Sequence, residues 1–212
     1  METQIKIAIV AHPARKEQAH TLAKQVNAYT VVMDEQRKGE QWTHQEALLR
    51  LCASSELNRF PPIWYILLED DAIPCKEFTQ LANDALKQAP ADCVVSFYLG
   101  TGRWAGTVPK QQEPKIQKLI EEADNSGSDW IKASALWHAV GFAVPSCLVS
   151  DLLNHLHTDN TPTDQAVTHW MQARHMSCWY TYPSLINHAD TTRLVQGKEP
   201  PVKRVACKFI DE

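Results

Sequence analysis

The stretch Ile63-Trp64-Tyr65-Ile66-Leu67-Leu68-Glu69-Asp70-Asp71 decides the fold. Its first six residues are all large and apolar, and Pro61-Pro62 closes the run upstream. A run of that length without a polar face is the pattern of a strand buried on both sides, as in a parallel sheet. Such a strand needs helices above and below it, and the flanking sequence supplies them in alternation. Upstream, Ile5 to Val10 reads as a first strand ended by His12-Pro13. Lys16 to Val26 carries Ala19, Leu22, Ala23 and Val26 at helical spacing, and Tyr29 to Met33 is a β-branched run ending at Asp34. That is a β-α-β unit. A second amphipathic helix is expected over Gln45 to Leu57.

Downstream the alternation continues. Lys76 to Gln88 reads as a helix, Asp92 to Leu99 as a strand, Lys115 to Ala123 as a charged helix and Gly141 to Pro145 as a short strand. Helices follow over Ser146 to Leu156 and Thr163 to Arg174, the latter opened by Pro162-Thr163-Asp164 with an acid in its first turn. Gly100 to Gly106 holds three of the seven glycines and reads as a mobile loop at a sheet edge. The expected architecture is a single α/β domain over residues 1–190, with a mixed, mostly parallel central sheet flanked by helices. A basic tail over 191–212 (Arg193, Lys198, Lys203, Arg204, Lys208) is expected to pack on or near the functional site.

Composition narrows the class of protein. The 212 residues correspond to about 1.4 domains at the usual domain size. The hydrophobic share of 44% is ample for a core, and a net charge of −4 gives no global attraction for nucleic acid or acidic membrane. The longest apolar runs fall well short of the ~18 residues of a membrane span, and the amino terminus lacks the pattern of an export signal. A cytoplasmic protein is expected. The six cysteines are scattered without a C-x-x-C pair, as mostly buried thiols would be.

Chemistry concentrates at Glu69-Asp70-Asp71. Ligands of open α/β sheets bind beyond the carboxyl ends of the strands, and three carboxylates packed there repel one another unless a cation intervenes. Hard oxygen ligands suit Mg²⁺ or Mn²⁺ shared with a phosphate-bearing substrate; the same residues also read as a solvated acidic turn that opens the next helix. Asp164 fits a general base beside an acceptor hydroxyl and equally fits an ordinary first-turn acid. His188 closes the strand-like stretch Tyr182 to His188, and its meaning depends on what it meets. Trp104, Trp130, Trp137 and Trp170 read either as stacking platforms or as core.

Taken in order, Trp42-Thr43-His44-Gln45-Glu46-Ala47-Leu48, Trp64-Tyr65-Ile66-Leu67-Leu68-Glu69-Asp70-Asp71-Ala72-Ile73, Gly141-Phe142-Ala143-Val144, Pro162-Thr163-Asp164 and Pro183-Ser184-Leu185-Ile186-Asn187-His188 resemble the glycosyltransferases of the GT-A fold. The likeness is strongest to glycosyltransferase family 25, the lipopolysaccharide-biosynthesis and collagen-galactosyltransferase type, and spans most of residues 5 to 190. The resemblance implies a GT-A (Rossmann-like) domain binding a nucleotide-sugar, UDP-linked by expectation, with Mn²⁺ or Mg²⁺. It implies Asp71 and His188 as metal ligands, and Glu69 and Asp70 in the donor site with Glu69 nearer the ribose. His12, Arg15 and Asp34 would lie on the nucleotide-binding surface, and Asp164 would deprotonate the acceptor of an inverting transfer. Apart from the resemblance, the tail cations Arg193 and Lys198 read either as closing over the diphosphate or as a solvated tail. The acceptor would be a saccharide or a hydroxymethylated DNA base. Two other readings stand beside it: a metal-dependent phosphoesterase or nucleotidyltransferase built on the same acids, and an inactive nucleotide-sugar binder.

Overall fold

The structure, a computed structural model, describes residues 4–53, 63–100, 113–189 and 205–210. Nine strands are described: β1 (Ile5–Ala11), β2 (Thr30–Met33), β3 (Trp64–Glu69), β4 (Ala72–Pro74), β5 (Val94–Ser96), β6 (Trp130–Ala133), β7 (Gly141–Pro145), β8 (Cys178–Thr181) and β9 (Ile186–His188). The helices are α1 (Lys16–Gln25), α2 (Glu40–Ala53), α3 (Phe78–Gln88), α4 (Glu113–Ser126), α5 (Ser146–Thr158) and α6 (Thr163–Ala173), with a 3₁₀ turn at Pro13–Arg15.

Seven strands form one sheet in the order β2-β1-β3-β7-β5-β8-β6, and β4 pairs with β9 in a separate two-stranded ribbon. β1 is parallel to β2 and β3, β7 is antiparallel to β3 and β5, and β8 is parallel to β5 and antiparallel to β6. Five strands therefore share one direction and two oppose it, the mixed, mostly parallel α/β sheet expected.

The apolar run of β3 builds both cores at once. Its pleat sends Trp64, Ile66 and Leu68 to one face, where Ala19 and Leu22 of α1 and Phe78, Ala82 and Leu86 of α3 cover them. Tyr65 and Leu67 face the other way, beneath Leu48 and Leu51 of α2, Leu152 of α5 and Trp170 of α6. Trp170 is fully buried and Trp137 packs in the same core with its ring 5.0 Å from that of Tyr180, so these two tryptophans are structural. Trp104 lies outside the described residues, as does the loop beyond Gly100.

Three expectations need correction. Helix α2 starts at Glu40, five residues before the expected Gln45, because the loop leading into it is organised by side-chain bonds that periodicity does not register. Both oxygens of the buried Asp34 carboxylate accept backbone N–H groups, from Lys38 (2.7 Å) and Gly39 (2.8 Å), and Gly39 turns the chain at φ 99°. β5 is shorter than the expected Asp92–Leu99: Ser96 Oγ accepts from Tyr98 N and donates to Tyr98 O, which ends the ladder. β6 and β8 were not anticipated, and the strand-like stretch Tyr182 to His188 reduces to β9. Of the cysteines, Cys75, Cys93 and Cys178 are buried while Cys147 is exposed.

The described part of the tail, residues 205–210, lies beside β9. Ala206 bridges Gly100 and donates its N–H to Asn187 Oδ1, and Phe209 bridges Ser184. Arg193, Lys198, Lys203 and Arg204 lie outside the described residues.

Candidate functional site

The buried acidic and imidazole side chains among the described residues are Asp34, His44, Asp70, Asp71 and His188. All five stand at or beside the carboxyl ends of β2 and β3. Buried carboxylates are rare unless paired, so this clustering marks the end of the sheet as a place where charge is held for a purpose.

The turn after β3 sends Asp70 and Asp71 towards the loop that follows β1. His12 donates its backbone N–H to Asp70 Oδ2 at 2.7 Å, while its imidazole Nδ1 accepts from Ala14 N and caps the 3₁₀ turn. That turn places Arg15, whose Nη1 donates to Asp70 Oδ1 at 2.8 Å and Asp71 Oδ2 at 2.5 Å. Burial raises the Asp70 carboxyl above its ordinary value, against the opposing pull of Arg15 and the His12 N–H. The Arg15 guanidinium, lowered by its own burial, is raised overall by the two aspartates.

His188 arrives from the far end of the chain. Ala72 pairs with His188 in the β4–β9 ribbon, which brings His188 Nε2 to 3.4 Å from Asp71 Oδ2. The Tyr98 ring lies 6.2 Å from the His188 imidazole and 5.4 Å from that of His138. Asp71 and His188, the expected metal ligands, are thus neighbours, and Asp71 Oδ1 is buried without a hydrogen-bond partner among the described residues. One carboxylate and one imidazole fit Mn²⁺ or Mg²⁺, with Mn²⁺ favoured by the nitrogen. The guanidinium on Asp71 Oδ2 would share that carboxylate with the ion or turn away from it.

Glu69 is directed elsewhere. Following the pleat, it joins the face covered by α2, where one carboxylate oxygen of Glu69, one of Glu40 and a ring nitrogen of His44 all lie within 4.8 Å of one another. His44 is fully buried, its ring stacked on Phe142 at 6.0 Å, and its Nδ1 lies 3.0 Å from Glu40 O and 3.3 Å from Thr163 Oγ1. Thr163 opens α6, and the next residue is Asp164. Burial and the charge of Glu40 lift the Asp164 carboxyl from 3.8 to about 6, although it accepts the Gln165 N–H at 2.8 Å. Burial also holds Glu69 well above the ordinary carboxylate range, reinforced by Asp71, Glu40, Asp164 and Asp70.

The sequence-expected residues therefore divide into two adjoining groups. Arg15, Asp70, Asp71 and His188 form one, with the His12 backbone. Glu69 and Asp164 belong with Glu40 and His44 in the other. Asp34 spends an acceptor position of each oxygen on its own loop, and Arg193 lies outside the described residues. Glu40 belongs to no motif in the sequence, but once α2 is known to begin there, its i, i+4 spacing to His44 puts both on one helix face. Among the described residues no helix is long and apolar enough to cross a membrane. No protein-family model matches the chain, and no curated protein matches its sequence.

Proposed function

We propose that the chain is a metal-dependent, inverting glycosyltransferase that moves a sugar from a nucleotide-sugar, a UDP-sugar by preference, to a hydroxyl of a saccharide or a hydroxymethylated DNA base. The observation that carries this reading is the meeting of Asp71 and His188, far apart in sequence, beyond the carboxyl end of β3. The ordered motifs resembling glycosyltransferase family 25 include both residues. The electrostatics agree: among the described residues a diphosphate approaching Glu69, Asp70, Asp71 and Asp164 meets the cation Arg15, itself engaged by Asp70 and Asp71, and a divalent ion would offset the remaining negative charge. That ion, held by Asp71 and His188, would act as a Lewis acid on the departing diphosphate.

The protein groups divide the remaining work. Arg15 offers a second positive centre to the diphosphate and in its absence neutralises Asp70 and Asp71. Asp164, with its proton affinity raised towards neutrality, is suited to accept the acceptor's hydroxyl proton as the hydroxyl attacks the anomeric carbon. Direct attack forms the new glycosidic bond as the sugar–phosphate bond breaks, inverts the anomeric centre and requires no covalent intermediate.

A specific observation favours one rival. Glu40 and Asp164 near Glu69 supply the additional carboxylates that a phosphoesterase or nucleotidyltransferase would use. Product analysis separates the two: glycosyl transfer releases intact nucleoside diphosphate, whereas the rival cleaves a phosphoanhydride or phosphodiester. The direct test is a thermal-shift panel of nucleoside diphosphates with and without Mn²⁺. Stabilisation by UDP is expected to require Mn²⁺ and to vanish in Asp71→Asn; equal shifts in the two proteins would overturn the assignment.

A further inference from the structure

We infer that Glu40, His44 and Glu69 form a second divalent transition-metal site, adjoining Asp71 and His188 but built from different side chains. The inference does not depend on the glycosyl-transfer reading. It starts from an imbalance of donors and acceptors. Two carboxylates and an imidazole offer ligand atoms within 4.8 Å of one another, in a place where Asp164 adds further negative charge. Among the described residues no salt bridge from Lys or Arg reaches Glu40 or Glu69.

His44 supplies the independent observation. The side chain is fully buried, and its Nε2 has no hydrogen-bond partner among the described residues. Its Nδ1 lies 3.0 Å from the backbone oxygen of Glu40, an acceptor only, and 3.8 Å from Glu40 Oε1, so Nδ1 carries the proton in the neutral ring and Nε2 is left with a lone pair. An imidazole anchored through one nitrogen to a backbone carbonyl, with the other free to ligate, is how metal-bound histidines are held. Phe142 against the ring and Thr163 beside Nδ1 fix its orientation further. Glu40 is on the exposed side of the group and gives ions and water a route in. Two carboxylates with one imidazole suit Mn²⁺ or Zn²⁺, with water completing the coordination.

The test counts ions. Full-length protein stripped with chelator is titrated with Mn²⁺, and bound ion is measured by electron paramagnetic resonance and by calorimetry. The wild type is expected to bind two ions per chain, Glu40→Gln and His44→Gln one each, and Asp71→Asn/His188→Gln one. Glu40 is exposed enough that its replacement leaves folding intact, so Glu40→Gln decides the matter if His44→Gln does not fold. A wild type binding a single ion that Glu40→Gln and His44→Gln leave undisturbed would overturn the inference. So would an Asp71→Asn/His188→Gln protein that binds none. One ion lost with Glu40→Gln but kept in Asp71→Asn/His188→Gln would uphold this site and refute the other.

Discussion

Asp164→Asn is expected to make the protein more stable at neutral pH while removing the proposed transfer activity. The carboxyl is raised from 3.8 to about 6, first by burial and then by the charge of Glu40. The folded protein therefore binds this proton more tightly than the unfolded chain does, and the associated stability is complete below about pH 3.8 and lost as pH rises through about 6. A shift of that size corresponds to about 3 kcal/mol; because part of the side chain reaches solvent, a discounted value of about 1 to 2 kcal/mol is the working expectation. Asparagine has no proton to lose, and its carbonyl oxygen can still accept the Gln165 N–H. The variant should match the wild type near pH 4 and exceed it by that margin above about pH 7.

The assay is urea unfolding of both proteins in chelator-containing buffer across this pH range, so that bound metal does not alter the titration. A stability difference that is independent of pH, or a variant weaker than the wild type at neutral pH, would refute the reasoning. Transfer by the wild type should rise with pH through about 6 as Asp164 ionises, and Asp164→Asn should lack that limb along with the activity. A substitution that stabilises the fold and abolishes turnover is the mark of a group held at a cost for chemistry.

Arg15→Gln removes the cation from Asp70 and Asp71, whose side chains are only 6% and 9% exposed. The expected loss is about 3 kcal/mol in chelator, mostly restored by Mn²⁺; melting curves showing the same loss with and without Mn²⁺ would refute the compensation. Away from the site, Asp151 accepts Trp170 Nε1 at 2.9 Å and Arg174 Nη2 at 2.6 Å. Asp151→Ala should cost about 1 to 3 kcal/mol by stranding the indole N–H. Arg174→Ala should cost at most about 1 kcal/mol, because an exposed ion pair contributes little. Denaturation midpoints giving the reverse order would show that the ion pair dominates.

The parts of the fold legible in the sequence are those in which burial imposes composition. β1 from Ile7 onward, β3 as far as Leu68, and β7 carry uninterrupted apolar residues because both faces of the sheet are covered there, and α1, α3, α5 and α6 show their stripes because each covers one face. β6 and β8 escaped because they lie at the far edge of the sheet. Lys132 of β6 is exposed with its ammonium over the Trp179 ring, and such mixed, four-residue segments carry no period to read. The site was half legible for a related reason. Asp71 and His188 stand in motifs whose order can be recognised, whereas Glu40 depends on where a helix begins, and Asp34 and Gly39 set that beginning through contacts with no signature in hydrophobicity. With the helix placed five residues late, Glu40 and His44 do not appear as a pair.

The acidic tripeptide shows why strand register is a chemical variable in this protein. Val10 is paired with Glu69 on one side of β3 and Gly141 with Leu68 on the other, so the position at which the strand ends is fixed by both neighbours. Within that register Glu69 completes the pleat and meets His44, while Asp70 and Asp71 leave the ladder and meet Arg15 and His188. A slip of one residue would exchange the faces, setting an aspartate against the imidazole of α2 and removing a carboxylate from the β4–β9 ribbon. Gly141 helps to hold the arrangement: a Cβ there would collide with Ile186 Cδ1 of β9 and press on Leu68 Cδ2 at 3.2 Å. The close approach of β7 to β9 thus ties the end of β3 to the strand that delivers His188. Three consecutive acids, similar in sequence, enter two different groups of side chains because the backbone turns out of the ladder after Glu69.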